Sequence, residues 1–281
     1  MNLRFAAAVL ALALTPAALF AAEGTFDRTL HVTGAASLNV STGSGYIHIT
    51  PGPDGSVHII GHVHASNGLF SGSPEERARR VADHPPIEQT GNHIDIGKHT
   101  HYENISIDYV ITAPRGTTVS AAAGSGDINV SNLDAPLRAG TGSGTIEAND
   151  LTGNVALNAG SGTIHAMMNN AEHVRVGTGS GNIRLTGVTG KLYAEAGSGD
   201  IEISGNPQAD WKVVTGSGNV TLNTGNSRYS LDASTGSGNI HSDPPLTVHG
   251  NTNGFHVTGD INGGGGPTVR VQTGSGGVRI H

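Results

Sequence analysis

The chain contains no cysteine. That removes a disulfide framework, a thiol nucleophile, a Cys-ligated zinc site and a lipidated cysteine behind a leader. Aromatic residues are scarce, at 4%. A globular core would draw on more of them, whereas a core of stacked aliphatic side chains would not. Basic residues number 15 against 22 acidic ones, a formal net charge of −7, so no phosphate-neutralising surface is evident and nucleic acid is not an expected partner. Beyond Met1 to Ala22 there is no further long apolar stretch, and no transmembrane segment is expected once a leader is removed.

What the chain does have is glycine, 43 of 281 residues, spaced with regularity. Gly-Ser-Gly begins at Gly43, Gly124, Gly142, Gly160, Gly179, Gly197, Gly216, Gly236 and Gly274. From Gly124 to Gly236 the steps are 18, 18, 19, 18, 19 and 20 residues, and the last step of 38 spans two periods. The degenerate Thr258-Gly259-Asp260-Ile261 stands where a copy is missing.

Aligning the copies on the first glycine gives fixed columns. Four residues after it stand Ile47, Ile128, Ile146, Ile164, Ile183, Ile201, Val220, Ile240 and Val278, without a break in β-branching. Five before it stand Leu38, Val119, Leu137, Val155, Val174, Leu192, Trp211, Leu231 and Val269. The residue immediately before it is always Ala or Thr. Apolar spacing of two marks strands with one buried face. The inward parity reverses across each Gly-Ser-Gly, which requires a bend there, and glycine is expected for the φ it can adopt.

Three short strands and three corners fit one period, the third corner near Gly153, Gly190 or Gly225. The expected fold is therefore all-β: a parallel β-helix, or three-sided β-solenoid, with 18–20-residue coils and like aliphatics stacked along its axis. A periodicity of this length settles architecture more firmly than local propensity does.

The domain reading follows. Residues 1–22 have the layout of a signal peptide, with Arg4, an apolar run from Phe5 to Leu14, Pro16 and then small residues; cleavage is expected after Ala21 or Ala22. Residues 23–281 read as a single solenoid domain, with irregular coils and a lateral flap at 51–118, regular coils at 119–242 and degenerate coils at 243–281. Inside the flap, Ser73-Pro74-Glu75-Glu76 offers an N-cap and a first-turn proline for a short helix, Pro74 to Asp83, halted by Pro85-Pro86. The chain stops just after an in-register Val278-Arg279-Ile280. An open final coil exposes a sheet edge. Either a neighbouring copy covers it, giving end-to-end self-association through the C-terminal coil, or the strand frays.

The segment from Ile107 to Gly116, with Ala113-Pro114-Arg115-Gly116 as its turn, is followed by Ala123-Gly124-Ser125-Gly126-Asp127-Ile128 and its echoes. This order resembles the bacterial adhesin family of β-strand repeats, which is similar to the head-GIN domains. The resemblance covers nearly all of the chain after the leader. It implies an exported parallel β-helix and carries over no catalytic residues. The histidine-rich insertion departs from the typical pattern.

The candidate chemistry is sparse. Each Gly-Ser-Gly opens a strand, whereas a phosphate cradle opens a helix, so the glycines read as corners. Asp127, Asp200 and Asp260 follow corners, but a calcium roll needs a nine-residue period, and a polar ladder is the better account. No catalytic, cofactor or metal residue is assigned. His62 and His64 share a strand face at a spacing that holds a metal, His99 and His101 repeat it, and His58, His84 and His93 lie nearby in sequence. No carboxylate has a fixed place beside them, so metal or pH response is kept only as an alternative.

Outward columns carry a weakly basic stripe, Arg138, Ala156, Arg175, Tyr193, Lys212, Asp232 and Arg270, and a mixed one, and read as solvated wall without the aromatic platforms of a glycan groove. The expected function is an exported, non-enzymatic adhesin or structural protein of the cell envelope, periplasmic or at the cell surface, with a protein or glycan ligand. The alternatives are a polysaccharide-acting β-helix enzyme and the histidine-based sensor.

Overall fold

The computed structural model describes residues 22–67, 72–98, 104–250 and 254–281. The expected signal peptide lies outside the described residues except for Ala22, and His99 and His101 lie outside them too.

Each coil contributes two strands to two different sheets. The strand leading into Gly-Ser-Gly, such as Leu137–Thr141, joins one; the strand leaving it, such as Ile146–Leu151, joins the other. Among the described residues the leading sheet has 13 strands and the trailing sheet 12. Through the body both pair in parallel, in the register the columns demand. Leu137 lies opposite Val119 and Val155. Ile128, Ile146, Ile164, Ile183 and Ile201 are successive partners. The columns thus become rows running down the axis, and every member of that isoleucine row is essentially inaccessible to solvent. Full burial of such a side chain stabilises by roughly 1.5–3 kcal/mol.

The third side carries no sheet of its own among the described residues, yet it is bonded coil to coil. Leu133, Leu151, Met168 and Val188 point inward there. The Thr152 amide donates to the Leu133 carbonyl, Asn169 to Leu151 and Asn206 to Val188. The left-handed turn residues sit at this second corner: Asn132, Asp150, Asn170 and Gly187 all have φ between 55° and 72°.

The Gly-Ser-Gly corners obey a different rule from the one expected. In the body their glycines do not adopt left-handed φ. They are glycine because the coils touch through them: a Cβ on Gly144 would run into the Gly126 carbonyl oxygen, and one on Gly162 into that of Gly144. The Ala-or-Thr column is explained at the same place. Thr141 Oγ1 donates to the Gly126 carbonyl at 2.8 Å and accepts from the Gly144 amide at 3.1 Å. Thr178 repeats both bonds with Gly162 and Gly181. The polar ladder is also present. Asp127 Oδ1 accepts from the Thr145 amide, Asn182 Oδ1 from that of Asp200, and Asp200 Oδ1 from that of Asn219.

Antiparallel strands close the near end of both sheets and the far end of the leading one, while the trailing sheet ends at the far side on Ile240–Ser242, paired in parallel with Val278–Ile280 alone. The first coil, Ser37–Thr42 and Ile47–Pro51, stacks directly on the coil beginning at Thr118, so the insertion leaves the array unbroken. Within the insertion Ser56–Ala65 runs antiparallel between Ala22–His31 and Ile105–Ala113, ending the trailing sheet. The hairpin Ile87–Thr90/His93–Ile96 ends the leading one. Helix α1, Pro74–Asp83, forms as the capping sequence predicts, with Ser73 Oγ accepting from the Glu76 amide. It packs against strands Ala22–His31 and Ser56–Ala65 through the buried Ala78 and Val81.

The far end differs from the expectation. The coil Thr268–Ser275/Val278–Ile280 does not finish the stack: it is threaded between the coil of Trp211–Ser217 and that of Tyr229–Ser237. Gly274 rests on Gly216, and Gly236 on Gly274. The C-terminal coil therefore has no free edge through which to self-associate. The segment around Thr258-Gly259-Asp260-Ile261 is not a missing coil either. Strand His256–Ile261 runs antiparallel to Tyr229–Ser237 and, with Leu246–Val248, caps the leading sheet.

Candidate functional site

The histidine flap is the first place to look. Strand Ser56–Ala65 alternates as predicted, with Val57, Ile59 and Val63 inward and His58, His62 and His64 outward. Its antiparallel neighbours supply carboxylates that the linear order conceals. His58 Nε2 lies 2.7 Å from Asp27 Oδ1, and His64 Nε2 lies 3.0 Å from Asp108 Oδ2. Asp108 also accepts the Tyr46 amide through Oδ1. His93 pairs with Asp95, whose carboxyl is held below the ordinary aspartate range chiefly by the Asn39 amide, against some desolvation and with help from Lys98 and His93. His84 closes helix α1, its backbone N–H donating to Arg80. Among the described residues no three His, Asp or Glu side chains are arranged to hold a metal.

The far end repeats the theme, which the linear sequence does not reveal. Asp243 lies between His241, at 2.8 Å, and His281, at 2.6 Å. Asp260 accepts from His249 and Ser230, and Asp232 sits between His256 and Arg270. The Asp243 and Asp260 pKa values are lowered, first by hydrogen bonds from His281 and His249 respectively. For Asp232 burial works upward but is outweighed by the bonds from Arg270 and His256, and the net shift is down. Histidine is thus a partner for aspartate at the two caps.

The second candidate is the outer face of the leading sheet. Its strands place Ser120, Arg138, Ala156, Arg175, Tyr193, Lys212 and Arg270 side by side in one row, each the direct partner of the next. Beside it, His173 and Lys191 form a second partnered pair. These side chains border an open groove of ≈ 600 Å³ over the row from Ser120 to Tyr193. No Asp or Glu lines it.

The Arg175 guanidinium stacks 4.6 Å from the Tyr193 ring centroid, and the Lys212 ammonium lies 5.6 Å from the same centroid. The quadrupole of the ring holds both cations in place. The Tyr193 hydroxyl donates to Glu195 at 2.6 Å, and that bond, with burial, raises its pKa. Arg138, Arg175, Lys191 and Lys212 take part in no ion pair among the described residues. Arg184 and Arg270, by contrast, each lie against a carboxylate. Chemically, this is a positive surface suited to holding an anion.

The family sequence profile that matches this chain is Toastrack DUF4097, over residues 75–281. The chain belongs to the Toastrack DUF4097 family. No curated protein matches it. Among solved structures, this Toastrack chain is similar to a candidate adhesin from Bacteroides fragilis, with 13% identity over 92% of this chain and 97% of that one and a TM-score of 0.40. It is also similar to a candidate cell adhesion protein from Clostridium sporogenes, with 15% identity, coverage of 92% and 98%, and a TM-score of 0.29. A third, a candidate lipid-binding protein from Parabacteroides distasonis, shows 10% identity, coverage of 92% and 97%, and a TM-score of 0.42. The Toastrack match begins inside helix α1, so the strands Ala22–His31 and Ser56–Ala65, with their histidines, lie before it. Among the described residues no helix is long and apolar enough to cross a membrane.

Proposed function

We propose that this Toastrack protein is exported to the periplasm or cell surface and works there without catalysis, as an adhesin-like scaffold. Its contact surface is the outer face of the leading sheet. The observation that carries this reading is the row of cations without carboxylate partners, Arg138, Arg175 and Lys212, on the face of a chain with net charge −7. An excess of one sign confined to one wall, against the sign of the whole, focuses a field on partners of opposite charge. The apolar leader supports the same reading. A carboxylate pair of the kind that cleaves glycosidic bonds finds no place in a groove without Asp or Glu.

The test is binding of the purified protein to cell-envelope fractions, wild type against Arg138→Glu/Arg175→Glu. Loss of binding with an unchanged melting temperature supports the proposal. Equal binding by the two proteins, or breakdown of a polysaccharide by the wild type, overturns it.

A further inference from the structure

We infer that the ligand of this face is a linear polysaccharide bearing one carboxylate on every second sugar, lying along the solenoid axis and across the strands. The inference rests on the reading of the leading sheet as the contact surface and adds to it the chemistry of what is held.

The argument is one of period. Arg138, Arg175 and Lys212 are 37 residues apart in turn, two coils each time, with Ala156 and Tyr193 on the coils between. Adjacent strands are about 4.8 Å apart, so the free cations recur about every 9.6 Å along a straight row. The doubling is not confined to that row. The corner column alternates in step with it, Thr141, Ala159, Thr178, Ala196, Thr215, and the clamping threonines fall on the coils that carry the cations. Over these five coils two columns on different sides of the backbone share a two-coil unit; Lys191 lies one row aside on the Tyr193 coil, and past Lys212 the next strand brings Arg270, which is paired with Asp232.

The spacing suits a disaccharide repeat with a single acid. Duplex nucleic acid presents one charge about every 1.7 Å, far denser than this row can match. The exposed large apolar residues that would seat the chain on a lipid surface, Tyr46, Met167, Val248 and Phe255, are not on this row. Between Arg138 and Arg175 the small Ala156 leaves the groove open to a sugar ring. Guanidinium groups meet carboxylates with two parallel hydrogen bonds, and stacking on Tyr193 fixes Arg175 before the ligand arrives.

The experiment is titration of the full chain after its leader with four probes at low and at physiological salt. These are hyaluronan, with one carboxylate per disaccharide; polygalacturonate, with one per sugar; neutral dextran; and phosphatidylglycerol vesicles. Hyaluronan is expected to bind more tightly per carboxylate than polygalacturonate, and dextran not at all. Arg175→Ala and Ala156→Glu should each weaken hyaluronan binding at least tenfold, with Arg184→Ala on the opposite face neutral and all three variants melting within a few degrees of wild type. Polygalacturonate binding as tightly per carboxylate would overturn the inference, as would preference for the vesicles or no binding to either acidic polymer. If the polymers fail while Arg138→Glu/Arg175→Glu still abolishes envelope binding, the ligand class falls and the contact surface stands. If envelope binding is also indifferent to that variant, both fall.

Discussion

The two walls of the solenoid are built from the same coils at the same spacing, yet they treat charge in opposite ways. On the trailing sheet the outward row reads Asn129, Glu147, His165, Arg184, Glu202 and Thr221, and unlike groups sit on adjacent strands. Asn129 donates to Glu147 at 3.1 Å, and Arg184 grips one Glu202 oxygen through two nitrogens at 2.7 and 3.1 Å. Opposed charges on neighbouring strands stabilise the pairing they straddle. On the leading sheet Arg270, on the strand next to Lys212, is paired with Asp232, while the unpaired Arg138, Arg175 and Lys212 stand two strands apart with Ala156 and Tyr193 between. That separation is close to the screening length of about 8–10 Å at moderate salt, so their mutual repulsion is modest. Arg184 and Glu202 are spent on each other, whereas Arg138, Arg175 and Lys212 are left for something else. Both walls are equally good supports for the core, so the difference concerns partners and not folding.

Substitutions can break or sharpen that contrast. The largest effect is expected where both walls share a corner. Gly162→Ala would drive a Cβ into the Gly144 carbonyl and should lower stability by roughly 3 kcal/mol or more, as backbone clashes in packed interiors do. Gly140→Ala, on the leading wall, would meet its nearest atom only at 3.8 Å and should change stability by less than about 0.5 kcal/mol. Denaturant melts of the pair measure the difference, and equal losses would mean that close approach is not what makes the corners glycine. Next in size is Thr178→Ala, which removes both bonds of the corner clamp and should cost about 1–2 kcal/mol by the same melts.

Smaller again is the difference between the walls themselves. Arg184→Gln should cost about 0.2–1 kcal/mol, the usual worth of an exposed ion pair, because Arg184 and Glu202 are 62% and 40% exposed. Arg175→Gln should leave the melt unchanged, and the two thermal curves compared at low salt decide it.

The smallest effect is one of pH and falls on the far cap. Asp232, Asp243 and Asp260 have folded pKa values below their ordinary one. A carboxyl of this kind adds stability that is present above its unfolded value, about 3.9, and lost as pH falls through the lower folded value. Hydrogen exchange below pH 4 should therefore show the strands Tyr229–Ser237 and His256–Ile261 losing protection before Leu137–Thr141 and its neighbours. Uniform loss along the chain would contradict it.

Much of the body could be read from the residues alone because its two periods are simple. Alternation identifies the inward face of the strands in the regular coils, and the 18–20-residue step identifies which residues become neighbours from Gly124 to Gly216. What escaped was whatever depends on pairing that is not sequential. Chain order places the coil at Gly274 beyond the one at Gly236, and nothing local to Val269 or Val278 signals that it lies on the near side of it in space. The cause of the glycine corners was misassigned because a close approach and an unusual φ make the same demand for glycine in a sequence. His58 and His64 looked free of carboxylates because Asp27 and Asp108 reach them only through antiparallel partners. The two-coil alternation of Thr and Ala, by contrast, was visible in the columns.

The threading of the final coil bears on how the molecule is made. A solenoid assembled in order of synthesis can add each turn to the one before as it emerges. Here the layer that joins Trp211–Ser217 to Tyr229–Ser237 is supplied by residues that follow both of them in the chain. The growing chain must leave a vacant berth one strand wide until the stretch from Thr268 arrives, and a protein lacking that stretch would be missing a middle plank, not a fringe.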